Sequence, residues 1–251
     1  MKKWFVFSAI FISSYTLFLV ASTPLLLLTN NIELPKNIKI AGVSGTIWQG
    51  EIAKITINNI DIKDVNSALS FWSIITFSPA IEVSFGDAIS TGPEGQFTLV
   101  VSPDSLTLTD ATLFMAANAV ASQLPLPIPV NALGNIDLNV DKLLVNTSDK
   151  LTCQQASGRV TWLRSSVVAL DNTIKLGNIS ADLSCDKGDL FAKINPKNNL
   201  GLTFTAQLIL ASQRASGQGY IKPGSKFPEA LKPAMAFIGR ADQQGRYQLK
   251  F

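Results

Sequence analysis

Histidine is absent from the chain. That absence removes the commonest general base, the Ser-His and Cys-His dyads, and most zinc sites. Charge is also scarce, at 16% of residues, where soluble domains carry about a quarter. Lys and Arg exceed Asp and Glu by only three and lie scattered. They form no basic run with interleaved aromatics, so no nucleic-acid partner is expected. The nucleophile-elbow, P-loop and dinucleotide-binding patterns are missing as well. Ser184-Cys185-Asp186-Lys187 has the S-x-x-K spacing, but the S-D-N and K-T-G partners of that chemistry are absent. Asp61, Asp64 and Asp104 read as turn and edge residues, not as a paired acid and base. No catalytic, cofactor-binding or metal-ligating residue is expected, and no enzyme.

What the chain has in excess is apolar sequence, 47% of residues with a mean hydropathy of +0.25. Part of it is the uncharged run from Trp4 to Leu28, and about 20 apolar residues suffice to cross a hydrocarbon core. Lys2 and Lys3 precede this run, and Glu33 is the first charge after it. The positive-inside rule then keeps residues 1–3 in the cytoplasm and exports the chain beyond the span. A cleaved signal peptide, cut after Val20-Ala21-Ser22, competes with this reading. The apolar stretch exceeds a signal h-region, which favours an uncleaved anchor over 4–28. Pro24 argues against a regular helix there, although membrane helices tolerate proline.

Beyond residue 36 the dominant signal is period two, as strands with one buried face require. Ile38 and Ile40, Ile55 and Ile57, and Ile60 and Ile62 alternate with polar residues, and Asn58-Asn59 marks a turn or bulge. Phe97, Leu99 and Val101 precede a turn at Pro103-Asp104-Ser105, with Leu106 and Leu108 in the partner. Ile136, Leu138 and Val140, then Val160 and Trp162, continue the pattern. Ile174 and Leu176 are separated from Ile179, Ala181 and Leu183 by a turn at Gly177-Asn178. Leu202 to Leu210 and the closing Tyr247, Leu249 and Phe251 complete it. About a dozen short strands predict a mainly β chain: an antiparallel meander that curls, as a partly open barrel or sandwich.

Helix is the minority. Leu113, Ala117, Val120 and Leu124 keep helical spacing between Asp110 and Pro125. A second short helix, or two turns, is expected between Pro228 and Gly239, interrupted by Pro233. Leu124-Pro125-Leu126-Pro127-Ile128-Pro129 reads as an extended crossover within the 36–251 domain, dividing two possible β units, 36–123 and 131–251. Gly45-Thr46-Ile47-Trp48 and Gly158-Arg159-Val160-Thr161-Trp162 form a faint internal echo of the kind a duplication leaves.

Cys153 and Cys185 fall in the exported part, where an even count implies one disulfide. Their Cα atoms must then come within about 7 Å. Trp48 and Trp72 sit among alternating apolar residues and are expected in the sheet core. Gly45 and Gly50 flank Trp48 as bulge or close-approach positions.

These features, in this order, resemble the protein N family of the type II (general) secretion pathway. The resemblance rests on the basic start and single span, on Gly45-Thr46-Ile47-Trp48-Gln49-Gly50, and on Phe71-Trp72 in a strand ahead of Pro79. It continues through the Leu-Pro crossover into Gly134-Asn135-Ile136-Asp137-Leu138, and through the two cysteines. It ends on Phe237-Ile238-Gly239-Arg240 and Gly245-Arg246-Tyr247-Gln248-Leu249-Lys250-Phe251. Pro79 stands further from Trp72 than the family pattern has it.

The resemblance implies a non-catalytic accessory component, single-pass in the bacterial inner membrane, with its β domain in the periplasm. Its partners would be other type II secretion components. A periplasmic lipid-handling protein with an apolar β groove is the alternative, which the low charge also fits. The Tyr247-x-Leu249-x-Phe251 ending has the form of an outer-membrane barrel's last strand, but the N-terminal span argues for retention in the inner membrane.

Overall fold

The computed structural model describes residues 2–31, 34–35, 37–87, 92–123, 131–169, 172–233 and 235–250. The crossover at 124–129 and Phe251 lie outside these. Helix α1 (Lys2–Ala21) contains one stretch, Trp4–Ala21, long and apolar enough to cross a membrane. It ends seven residues short of the expected Leu28. Pro24 has no N–H to continue the ladder, and instead forms a β-bridge with Thr46. Leu25–Asn31 make a separate short helix, α2.

The described strands are β1 (Ile38–Gly45), β2 (Gln49–Ile57), β3 (Ile60–Leu69), β4 (Ala80–Phe85), β5 (Glu94–Ser102) and β6 (Ser105–Ala116). After the crossover come β7 (Asn131–Asn146), β8 (Thr152–Ala169), β9 (Asn172–Asp186), β10 (Asp189–Ile194), β11 (Leu202–Ile209), β12 (Arg214–Ile221) and β13 (Tyr247–Lys250). All thirteen lie in one sheet in chain order. It is an antiparallel meander, and it is open, with β1 and β13 at its two edges. Strands on either side of the crossover pair directly, from Ser105 opposite Asn146 to Ala116 opposite Asn135.

The register explains why one layer suffices. Ser44, Glu51, Asn66, Ser84, Gln96, Thr112 and Asn139 are successive partners across β1 to β7. The row continues through Arg159, Asp182, Lys193, Thr205, Gln218 and Lys250. Every member is polar, and all but Thr205 are exposed. One residue along, Leu113, Leu138, Val160, Ala181 and Ile194 are likewise partners. All five are half-buried. Period-two alternation has therefore sorted the sheet into one wet face and one apolar face.

The apolar face is covered densely at one end. Phe227, Leu231 and Met235 pack there against Ile174, Leu176 and Leu200, with Trp162, Ile221 and Tyr247 around them. The covering segment holds a 3-10 turn (Glu229–Leu231) and helix α5 (Met235–Ile238), on either side of Pro233. A short helix α4 (Ala117–Ala121) buries Ala117 beside β7.

Turns and bulges set the curl. Asn58 and Asn59 both have positive φ, 47° and 70°, between the paired Ile57 and Ile60, as a two-residue type I′ hairpin requires. Gly177-Asn178, expected as a turn, lies inside β9 instead. Gly134 (φ 92°), Arg164 (φ 51°) and Gly177 (φ 90°) form a bulge running through β7, β8 and β9. The Arg164 N–H finds Asn178 Oδ1 at 2.9 Å, and the buried Ser165 hydroxyl donates to the Gly177 carbonyl. A Cβ on Gly134 would press on the Leu163 and Arg164 carbonyls, so this position needs glycine.

Two other expectations fail. The helix expected from Asp110 to Leu124 is strand as far as Ala116, with only α4 beyond. Leu113, the first residue of the helical spacing, is in β6, and Ala117 and Val120 are in α4, so the spacing spans the junction of strand and helix. Phe71-Trp72, expected in a strand, open helix α3 (Phe71–Ile75).

Candidate functional site

The sheet meets α1 at one place, built from the segment Gly45–Gly50. The last carbonyls of a helix lack intrahelical partners, and here the hairpin tip supplies them. Trp48 Nε1 donates to the Val20 carbonyl at 3.0 Å, and the Ile47 N–H donates to the Thr23 carbonyl at 3.1 Å. Gly45 and Gly50 face each other across β1 and β2. Gly45 has φ 80°, and a Cβ on Gly50 would collide with the Leu25 side chain and come within 2.8 Å of Ser67 Oγ. Gly50 is thus a close approach of the sheet backbone to α2, whereas a Cβ on Gly45 would meet the Gln49 carbonyl across the hairpin tip.

Beside this contact stands α3. The Phe71 ring lies 5.7 Å from Trp48, and Trp72 packs edge-on against Phe71 at 5.9 Å. Trp72 is 75% exposed and Phe77 84%. Neither belongs to the core, and Trp48 stands beside Phe71, hydrogen-bonded to α1, instead of within the sheet core. An apolar cleft of about 790 Å³ separates α1 from this cluster, lined by Thr16, Leu17, Val20, Trp48, Leu69 and Phe71. The exposed stretch 71–77 escaped the reading of the sequence. Its signal was the lack of any charged residue between Asp64 and Glu82.

Cys153 and Cys185 form a disulfide, with Cα atoms 5.5 Å apart. It ties the start of β8 to the end of β9, where the Cys153 N–H also donates to the Gly188 carbonyl. At the far edge, Gly239 (φ 129°) follows α5, and Gly245 (φ 75°) turns the chain into β13. Tyr247 opens β13 opposite Ile221 and borders the buried cluster.

That turn is organised by Asp242. Its carboxylate accepts the Arg246 and Gln244 N–H groups at 2.9 and 2.8 Å and the Arg246 guanidinium at 2.8 Å. These bonds, the Arg246 N–H first, lower its pKa to about 2. The same guanidinium lies 5.1 Å over the Tyr220 ring. Asp61 is also lowered, by the Thr56 hydroxyl first and by Lys54 at 3.6 Å. Among the described residues no cluster of carboxylates or cysteines is arranged to hold a metal ion. The arrangement is one of contacts and caps, not of a nucleophile beside a base.

Comparison with known proteins gives a consistent result. The family description "Type II secretion system (T2SS), protein N" matches residues 36–250. A type II secretion system protein N of Aeromonas hydrophila is 26% identical over 255 residues, covering 100% of this chain and 98% of its own length. The Vibrio cholerae protein of that name is 26% identical, covering 96% and 93%. The one from Klebsiella pneumoniae is 24% identical, covering 98% and 94%. No solved structure matches the chain.

Proposed function

The chain belongs to the protein N family of the type II secretion system, and from that premise we propose that it is a non-catalytic accessory component. In this reading α1 anchors it in the inner membrane, with residues 1–3 in the cytoplasm and the sheet in the periplasm. The sheet recruits other secretion components through main-chain pairing at an open edge. The observation that carries this is β1, an eight-residue edge strand paired on one side only among the described residues. Unpaired edges invite a further strand, and α1 holds this one near a membrane surface. The absence of histidine supports a role without catalysis.

Photo-crosslinking in cells from Lys39 and Ala41, both exposed on β1, tests it. Adducts with secretion-machine proteins are expected, and an absence of protein adducts from either position overturns the edge-docking role. A second reading, lipid handling, has its own observation in the half-exposed apolar row of β6 to β10. Mass spectrometry of the purified full chain would find bound phospholipid if that row holds acyl chains. Lipid-free protein removes the second reading.

A further inference from the structure

We propose that α3 and the turn after it, Phe71–Phe77, form a second membrane contact, a foot immersed in the bilayer leaflet on the sheet's side of α1. This rests on α1 spanning the bilayer. Five large apolar residues, Phe71, Trp72, Ile74, Ile75 and Phe77, fall within seven positions, and all are exposed. Water is a poor solvent for such a patch, and patches of this kind mark interaction sites. Its location says which partner. The cleft shared with α1 runs from Ala21 down to Ser13, a drop of about 12 Å along the helix. That depth lies within the hydrocarbon once Trp4–Ala21 crosses it.

Polar groups in hydrocarbon need partners within the protein, and the Ser73 and Thr76 hydroxyls and the turn that follows α3 have them. Ser73 Oγ donates to the Ser70 carbonyl at 2.6 Å and accepts the Ala80 N–H at 2.8 Å. Thr76 Oγ1 donates to the Ser73 carbonyl at 2.9 Å. The Phe77 and Ser78 N–H groups return to the Ile74 and Ser73 carbonyls. No charged residue stands between Asp64 and Glu82. Trp48 and Trp72 then occupy the interfacial belt where indoles concentrate. A protein surface as partner would not require the hydroxyls to fold inward or the patch to begin, at Phe71, on the wall of a cleft shared with α1.

The test uses the full chain in phosphatidylethanolamine–phosphatidylglycerol vesicles, with an environment-sensitive label on single added cysteines. The native pair is disulfide-bonded and does not react. Labels at Phe77→Cys and, independently, Ile75→Cys are expected to be quenched severalfold more by nitroxide-bearing lipid than by aqueous iodide. A label at Lys197→Cys, in the loop at the opposite end of the strands, should show the reverse. Phe11→Cys reports on α1 itself. If the Phe11 label is lipid-quenched while the Phe77 and Ile75 labels follow iodide, the foot is refuted and the anchor stands. If all of them follow iodide, the anchor fails and the foot with it.

Discussion

Trp48 joins the sheet to α1. Its ring packs on Phe71 while its indole N–H donates to the Val20 carbonyl at the end of α1. Trp48→Phe keeps the ring and removes one hydrogen bond, a loss of roughly 0.5–1.5 kcal/mol. Faster proteolysis at Ser22–Pro24 in detergent is expected, with the sheet's own melting little changed. Asp242 makes a different residue-scale case, because its contribution depends on pH. Its carboxylate sits at about 2, below the ordinary 3.8, so the ionised form is favoured in the folded state. Its stabilisation is therefore complete above about pH 4 and is lost as pH falls through about 2. Asp242→Asn should detach β13 at neutral pH, seen as faster amide exchange at Tyr247 and Leu249, which pair with Ile221 and Gly219. The same variant should differ little from the parent near pH 2.

At the scale of elements, alternation made most strands legible, since one wet and one apolar face is what a single-layer sheet demands of each strand. What stayed hidden were positions where the backbone breaks phase. Gly177-Asn178 reads as a turn where the strand only shifts register, and Leu113 to Val120 reads as helix although it runs from the end of β6 into α4. Whether the chain bulges or reverses depends on what it pairs with, and local sequence does not carry that. The Trp48 motif was visible as a motif, but its partners are in α1 and α2, more than twenty residues away. The Cys153–Cys185 bridge was readable from compartment and count. With a sequence separation of 32, reducing it should lower stability by roughly 3.5–4 kcal/mol in the chain-entropy model. Calorimetry with and without reductant measures this, and an unchanged melting temperature would show that β8–β9 pairing alone fixes those ends. Gly134→Ala, forced to keep φ near 92° against two carbonyls, should destabilise by about 1–3 kcal/mol.

Over the whole molecule, the exposed area is 16942 Å², whereas a compact chain of this mass exposes about 11,000 Å². The excess is what a protruding helix and an uncovered sheet face produce. In a meander each strand rests only on its neighbours, so stability should be transmitted as it is along a repeat protein, locally. Among the described residues the dense cluster, around Phe227, Ile174 and Leu176, lies in the β8–β13 half. Phe227→Ala, removing a side chain only 5% exposed, should cost about 3–5 kcal/mol there. Hydrogen exchange would then accelerate in β8, β9 and β11 to β13, while β1 to β5 keep their protection factors. A uniform loss of protection over all thirteen strands would mean that the sheet unfolds as one cooperative unit. In that event β1 to β5 would depend on a core they do not touch, and the nearest-neighbour account of this open sheet would have to be abandoned.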